Sequence, residues 1–199
     1  MKMGTAFRSL PRPLFAFAIW IGMAVAVGSA TASPTTASPA TSSFSPALQA
    51  KVTQAQKLLA EWASNPIVVA AVKEANAKGG MFPGMSNAKW NDLEDAHPTV
   101  QLSLTSPVAK QLQKWEKSAQ LDKLFLRDQK ANLIAGTSKT LLFNNSSRAV
   151  SAHALQGQEW SDTDIKADPT TQVRSVQIGA PVRDGGKVIG FLHASVSAE

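Results

Sequence analysis

The chain contains no cysteine. That excludes disulfides, cysteine-ligated zinc, iron–sulfur clusters, thioether-linked haem and a thiol nucleophile. There is no G-x-S-x-G elbow, no S-x-x-K and no phosphate-binding glycine loop, so nothing in the sequence argues for an enzyme. The three histidines, His97, His153 and His193, do not stand at metal-ligand spacing from one another or from an acid, so no metal or other cofactor is expected. Long apolar runs are also absent beyond Leu14–Val27, and no block of Lys and Arg occurs. Nucleic acid is therefore not an expected partner.

The apolar run is preceded by Lys2, Arg8 and Arg12 and followed by Ala30-Thr31-Ala32. This is the pattern of a secretory signal over residues 1–32 with cleavage after Ala32, and it implies a periplasmic or secreted protein. The alternative is a retained membrane anchor. Removing those residues takes three of the 20 basic residues and none of the 14 acidic ones, so the formal charge falls from +6 to +3. Residues 33–45 are almost entirely Ser, Thr, Pro and Ala, a composition that cannot bury enough apolar surface to order itself and reads as a linker. The domain is expected over 46–199, held together by burial alone.

Ser45-Pro46 is an N-cap followed by proline at the first helical position, and Leu48, Val52, Ala55, Leu59 and Trp62 then recur at steps of four and three. This predicts a long amphipathic helix whose stripe packs on the domain or forms a homodimer seam. Asn65-Pro66 and Ser106-Pro107 repeat the cap-and-proline signal, and Gly79-Gly80 ends the second helix. Beyond residue 120 the period changes to two. LDKLFLRD and NLIAGT read as one hairpin; TQVRSVQIGAPV and KVIGFLHASV read as another, with Asp184-Gly185 at its turn. Residues 138–170 between the hairpins are polar and are expected to be irregular, with one helical turn near Trp160. Helices first and antiparallel strands afterwards predict an α+β fold. The long crossing segment is the expected lid or binding loop.

The order of LFLRDQKANLIAGTSKT, a polar stretch with a Trp and an Asp, and RSVQIGAPVRDGGKVIGFLHASV resembles the extracytoplasmic PAS-like sensor domains of the Cache type, in single-module form, over residues 46–196. The resemblance implies a PAS-like antiparallel sheet with a long N-terminal helix and further helices packed on one face. It also implies a small-molecule pocket on the sheet, lidded by the crossing segment. Two departures stand out. The sequence carries no tyrosine, so the Tyr-rich amino-acid motif of two-module relatives is missing. It also shows no second transmembrane segment or output domain, so a separate membrane receptor or another exported protein is the expected partner.

Candidate ligand contacts follow from position. Arg127 is in phase with Phe125 inside an apolar strand and suits a carboxylate or sulfonate, or else an ion pair with Asp128, Asp122 or Asp168. Arg174 shares a face with Val176 and Ile178, with the same two readings. Ser138, Lys139 and Thr140 open the crossing segment at the expected rim. Trp160 is an apolar wall or a lid anchor, and Asp168 is turn chemistry or a contact for an amine. The expected function is an exported sensor domain for a small anionic metabolite. The other class is a structural or interaction protein that uses the fold as a binding surface.

Overall fold

The computed structural model describes residues 44–168 and 171–199. The expected signal segment and nearly all of the linker lie outside the described residues. The helices begin where their caps stand. The Ser45 hydroxyl accepts from the Leu48 amide, the Asn65 side chain from Ile67, and the Ser106 hydroxyl from Ala109, each before a proline. These open α1 (Pro46–Ala63), α2 (Pro66–Ala77) and α5 (Pro107–Ala119). Between them lie α3 (Asn87–Asn91), capped by Ser86, and α4 (Pro98–Thr105), capped by His97 through Nδ1. His97 is thus a helix cap.

The strands are β1 (Lys123–Asp128), β2 (Leu133–Gly136), β3 (Trp160–Ser161), β4 (Lys166–Ala167), β5 (Arg174–Asp184) and β6 (Lys187–Ser197). They form one antiparallel sheet in the order β2-β1-β6-β5-β3, with β4 also pairing to β5. β1 therefore lies beside β6 with β2 at its outer edge, and the crossing segment returns to the far edge. This is the PAS-like α+β architecture. The β5–β6 loop is Gly185-Gly186, one residue beyond the expected Asp184-Gly185. Both glycines have positive φ, 54° and 85°, the backbone that a twisted two-residue hairpin requires.

Period-two alternation sorts the strands onto two faces. Leu124, Leu126, Val176, Ile178, Ala180, Leu192, Ala194 and Val196 enter the main core with α1, α2 and α5. The whole apolar stripe of α1 is buried there, at roughly 1.5–3 kcal/mol per large side chain. It packs against the chain's own sheet, the first of the two readings of that stripe, so the stripe itself is not free to form a homodimer seam. Trp62 and Trp115 stack at 5.0 Å, joining α1 to α5.

The crossing segment is more ordered than expected. It contains α6 (Ala149–Leu155), and Trp160 lies in β3 rather than in a helical turn. The apolar pair Val150 and Ala154 spans only one turn, too short a period to read from sequence. α6 rests on the second sheet face because Gly179 has no side chain: a Cβ there would stand 2.6 Å from Val150 Cγ2. Among the described residues, no helix is long and apolar enough to cross a membrane.

Candidate functional site

The second sheet face is where polar residues alternate with the core. Ser175 and Gln177 on β5, His193 and Ser195 on β6, and Phe125 and Arg127 on β1 form the floor of an open cavity of about 390 Å³. The N-terminal end of α6, with Arg148 and Val150, makes one wall. Residues Lys139–Leu142 make a second, and Trp160, Asp162 and Lys166–Asp168 a third. The volume lies within the range that binds small molecules.

Arg127 is 1% exposed and organises the second wall. Its Nε donates to His193 Nε2 at 3.1 Å. Nη1 donates to the Ala131 and Phe143 carbonyls at 3.2 and 2.7 Å. Nη2 donates to the Leu142 carbonyl at 3.0 Å and the Thr140 hydroxyl at 3.5 Å. A guanidinium has five N–H donors, and all five are taken. Arg127 is therefore neither free for a ligand nor paired with Asp128, Asp122 or Asp168. It holds the start of the crossing segment to the sheet through backbone carbonyls. Burial lowers its pKa to about 9, so it stays charged at neutral pH. Asn87 of α3 reinforces the wall, accepting from the Asn144 amide at 2.7 Å and donating to its carbonyl at 2.9 Å. Trp90 Nε1 donates to the Thr140 carbonyl at 2.7 Å.

His193 is held between aromatic rings, with Phe125 at 5.0 Å and Phe191 at 6.1 Å between centroids. Burial, reinforced by the Arg127 charge, pushes its pKa well below the usual value, so the ring is neutral. Gln177 Nε2 donates to Ser195 Oγ at 2.7 Å beside it.

The remaining expected residues divide. Lys139, Thr140, Trp160 and Asp168 line the cavity with Arg127. Lys139 donates to the Leu93 carbonyl and lies 3.5 Å from Asp95. Trp160 is both wall and anchored ring, stacked on His153 at 5.6 Å. Asp168 serves as turn chemistry, accepting from the Thr171 amide at 3.0 Å, and pairs with Lys123 at 2.6 Å.

Ser138 and Arg174 are outside the cavity wall. Arg174 is exposed and in phase with Val176 and Ile178, whose side chains enter the core under α1. That phase puts it on the face opposite Ser175 and Gln177. Ser138 keeps its hydroxyl oxygen buried without a partner.

Reasoning from sequence missed Arg148, Ser175, Gln177, His193 and Ser195. The signal for four of them is the polar alternation with Val176, Ile178, Leu192 and Ala194. Arg148 needed the position of α6. The basic residues of the wall are Lys123, Arg127, Lys139, Arg148 and Lys166, against Asp162 and Asp168. Among the described residues, no group of three or more His, Asp or Glu is placed to hold a metal ion.

No family model matches the chain, and no curated protein matches it. Among solved structures it is similar to the V. cholerae histidine kinase DctB sensor domain, at 16% identity and a TM-score of 0.41, over 76% of this chain and 57% of that one. It is also similar to the ligand-binding domain of the Pseudomonas aeruginosa amino acid chemoreceptor PctC in complex with GABA, at 11% and 0.42, over 77% and 56%. The E. coli DcuS sensor domain matches at 12% and 0.37, over 66% and 92%. The chain thus spans just over half the length of the first two. Its fold rests on its own strand order and helix placement.

Proposed function

We propose that this is an exported sensor domain that binds a small anionic metabolite in the cavity between the sheet, α6 and the crossing segment, and relays the bound state to a separate protein. The observation that carries the reading is the charge of the cavity: five basic residues against two acidic ones, and both acids paired to lysines. A cavity with that excess concentrates and holds anions. An open wall of mixed polar and apolar groups also favours ligand binding over a purely structural use of the fold. Residues 139–148 are tied to the sheet and α3, so the closing element is the return segment 160–168, which pairs to β5 by two short ladders. Ligand contact with that segment would shift its population toward the closed form.

A thermal-shift screen of the purified protein against carboxylates, sulfonates, phosphates and neutral metabolites tests this. Ligand at a hundredfold excess over its dissociation constant adds about 2.7 kcal/mol, which raises the melting temperature by roughly 5–10 °C for a domain of this size. An anion hit supports the reading. No shift with any anion in the panel would sink it.

A further inference from the structure

Among the described residues, three buried side-chain polar atoms have no hydrogen-bond partner: Asp122 Oδ2, Ser138 Oγ and His193 Nδ1. Of these residues only His193 belongs to the cavity wall. The chemistry of its neighbour fixes the tautomer. A guanidinium N–H can only donate, so the His193 Nε2 facing Arg127 Nε must be the lone-pair nitrogen. The proton then sits on Nδ1. His193 is 7% exposed, and the Phe125 ring stacked on it restrains it from turning. A buried donor left unmade is costly, and the residue that carries it lines the cavity.

The charged groups around it are not equivalent. Both Asp162 oxygens accept from Lys166, at 2.7 and 2.9 Å, and Asp168 is held by Lys123. An ammonium entering the cavity would meet carboxylates whose charge those lysines already balance. Arg148 is exposed at the rim, and its guanidinium makes no side-chain hydrogen bond or ion pair among the described residues.

We infer that His193 is a ligand-contact residue: the occupant presents an oxygen acceptor to His193 Nδ1–H and an anionic group to Arg148, and carries no ammonium. The ligand class is therefore a small hydroxy, oxo or dicarboxylic acid rather than an amino acid. The inference rests on the small-anion reading above and names the residue and the chemistry that select within it.

The test is calorimetric titration of the full chain with lactate, pyruvate, succinate and 2-oxoglutarate, and with the amino counterparts alanine, aspartate and glutamate. At least one of the first group is expected to bind about tenfold or more tightly than its amino counterpart, because the ammonium finds no unpaired acid. Two variants then isolate the nitrogen. His193→Gln keeps an acceptor near the Nε2 position for Arg127 but loses the Nδ1 donor; His193→Asn keeps a donor near Nδ1. His193→Gln is expected to weaken binding about tenfold or more, and His193→Asn by no more than about threefold.

If none of the acids binds the wild-type protein while another anion of the thermal-shift panel does, the ligand class inferred here is overturned and the small-anion reading stands; if no anion of that panel binds either, both fall. If an acid binds and folded His193→Gln binds it equally well, the inference alone is overturned. Equal binding of the amino counterpart overturns the exclusion of ammonium. Should His193→Gln not fold, His193→Asn decides: retained binding supports the assignment, and lost binding in a folded variant contradicts it.

Discussion

Arg127 and His193 meet diagonally across β1 and β6, with Arg127 Nε donating to His193 Nε2 at 3.1 Å. That bond joins the anchor of the crossing segment to the floor of the cavity. One end fixes where the wall stands, and the other fixes which nitrogen of the imidazole remains a donor.

Arg127 is expected to be needed for folding. Arg127→Met removes one donor from each of the Leu142, Phe143 and Ala131 carbonyls. These keep the Thr140 hydroxyl and the Leu133 and Asn145 amides, and a hydrogen bond to a charged group contributes about 1.5–3 kcal/mol. A loss of about 3 kcal/mol or more in urea unfolding is expected. Arg127→Lys is expected to recover little, since an ammonium lacks the planar fork. A loss below about 1 kcal/mol would show that the wall is held by other contacts.

Stability should fall with acid below pH 6.5. The folded-state pKa of His193 lies well below 6.5 because of burial and the Arg127 charge. The unfolded chain therefore takes up a proton near pH 6.5 that the folded chain refuses. This contribution is fully present above pH 6.5 and is lost as pH falls toward the folded value, with a slope approaching about 1.4 kcal/mol per pH unit. Glu116 and Asp122, whose pKa values burial raises, act in the opposite sense, favouring the folded state as pH falls through their range. Urea midpoints at pH 7.5, 6.5 and 5.5 should drop for the wild type and flatten in His193→Gln. Parallel lines would contradict the neutral, buried imidazole.

Gly179 sets the height of α6 above the sheet. Gly179→Ala brings a Cβ to 2.6 Å from Val150 Cγ2, and overpacking of this kind costs about 1–3 kcal/mol. Val150→Ala in the same chain should restore part of that loss, giving a double-mutant coupling of about 0.5 kcal/mol or more. Strict additivity would mean that α6 does not rest on this position.

Arg148 separates binding from folding. It is exposed and makes no side-chain hydrogen bond or ion pair among the described residues, so Arg148→Gln should leave the unfolding midpoint within about 0.5 kcal/mol of wild type. The same change should weaken an anion that binds the cavity by about tenfold, the cost of losing a charge-assisted bond. Unchanged affinity would remove Arg148 from the site.

Much of the fold was legible locally. Ser45-Pro46, Asn65-Pro66 and Ser106-Pro107 marked three helix starts because cap and proline act within a few residues. The two hairpins showed their period. α6, β3 and β4 were not legible, since elements of seven and two residues carry too little periodicity and exist through contact with β5. Phase placed Arg127 on the correct face, yet its partners are carbonyls whose position depends on the whole crossing segment. Conversely, the phase that groups Arg174 with Val176 and Ile178 already placed it opposite Ser175 and Gln177. The site needed both faces of each strand to be read, and the polar alternation of His193 and Ser195 with Leu192 and Ala194 is the part of it that the sequence carries.

The central claim is that a small anion occupies the cavity between the sheet and α6. The most direct measurement is an amide NMR titration of the assigned protein with the anion that gives the largest thermal shift. Saturable changes should concentrate on Gln177, His193 and Ser195 of the floor, Arg148 and Val150 of α6, and Lys166. Changes confined to the outer faces of α1 and α5, or none at any concentration up to saturation of the thermal shift, would contradict it.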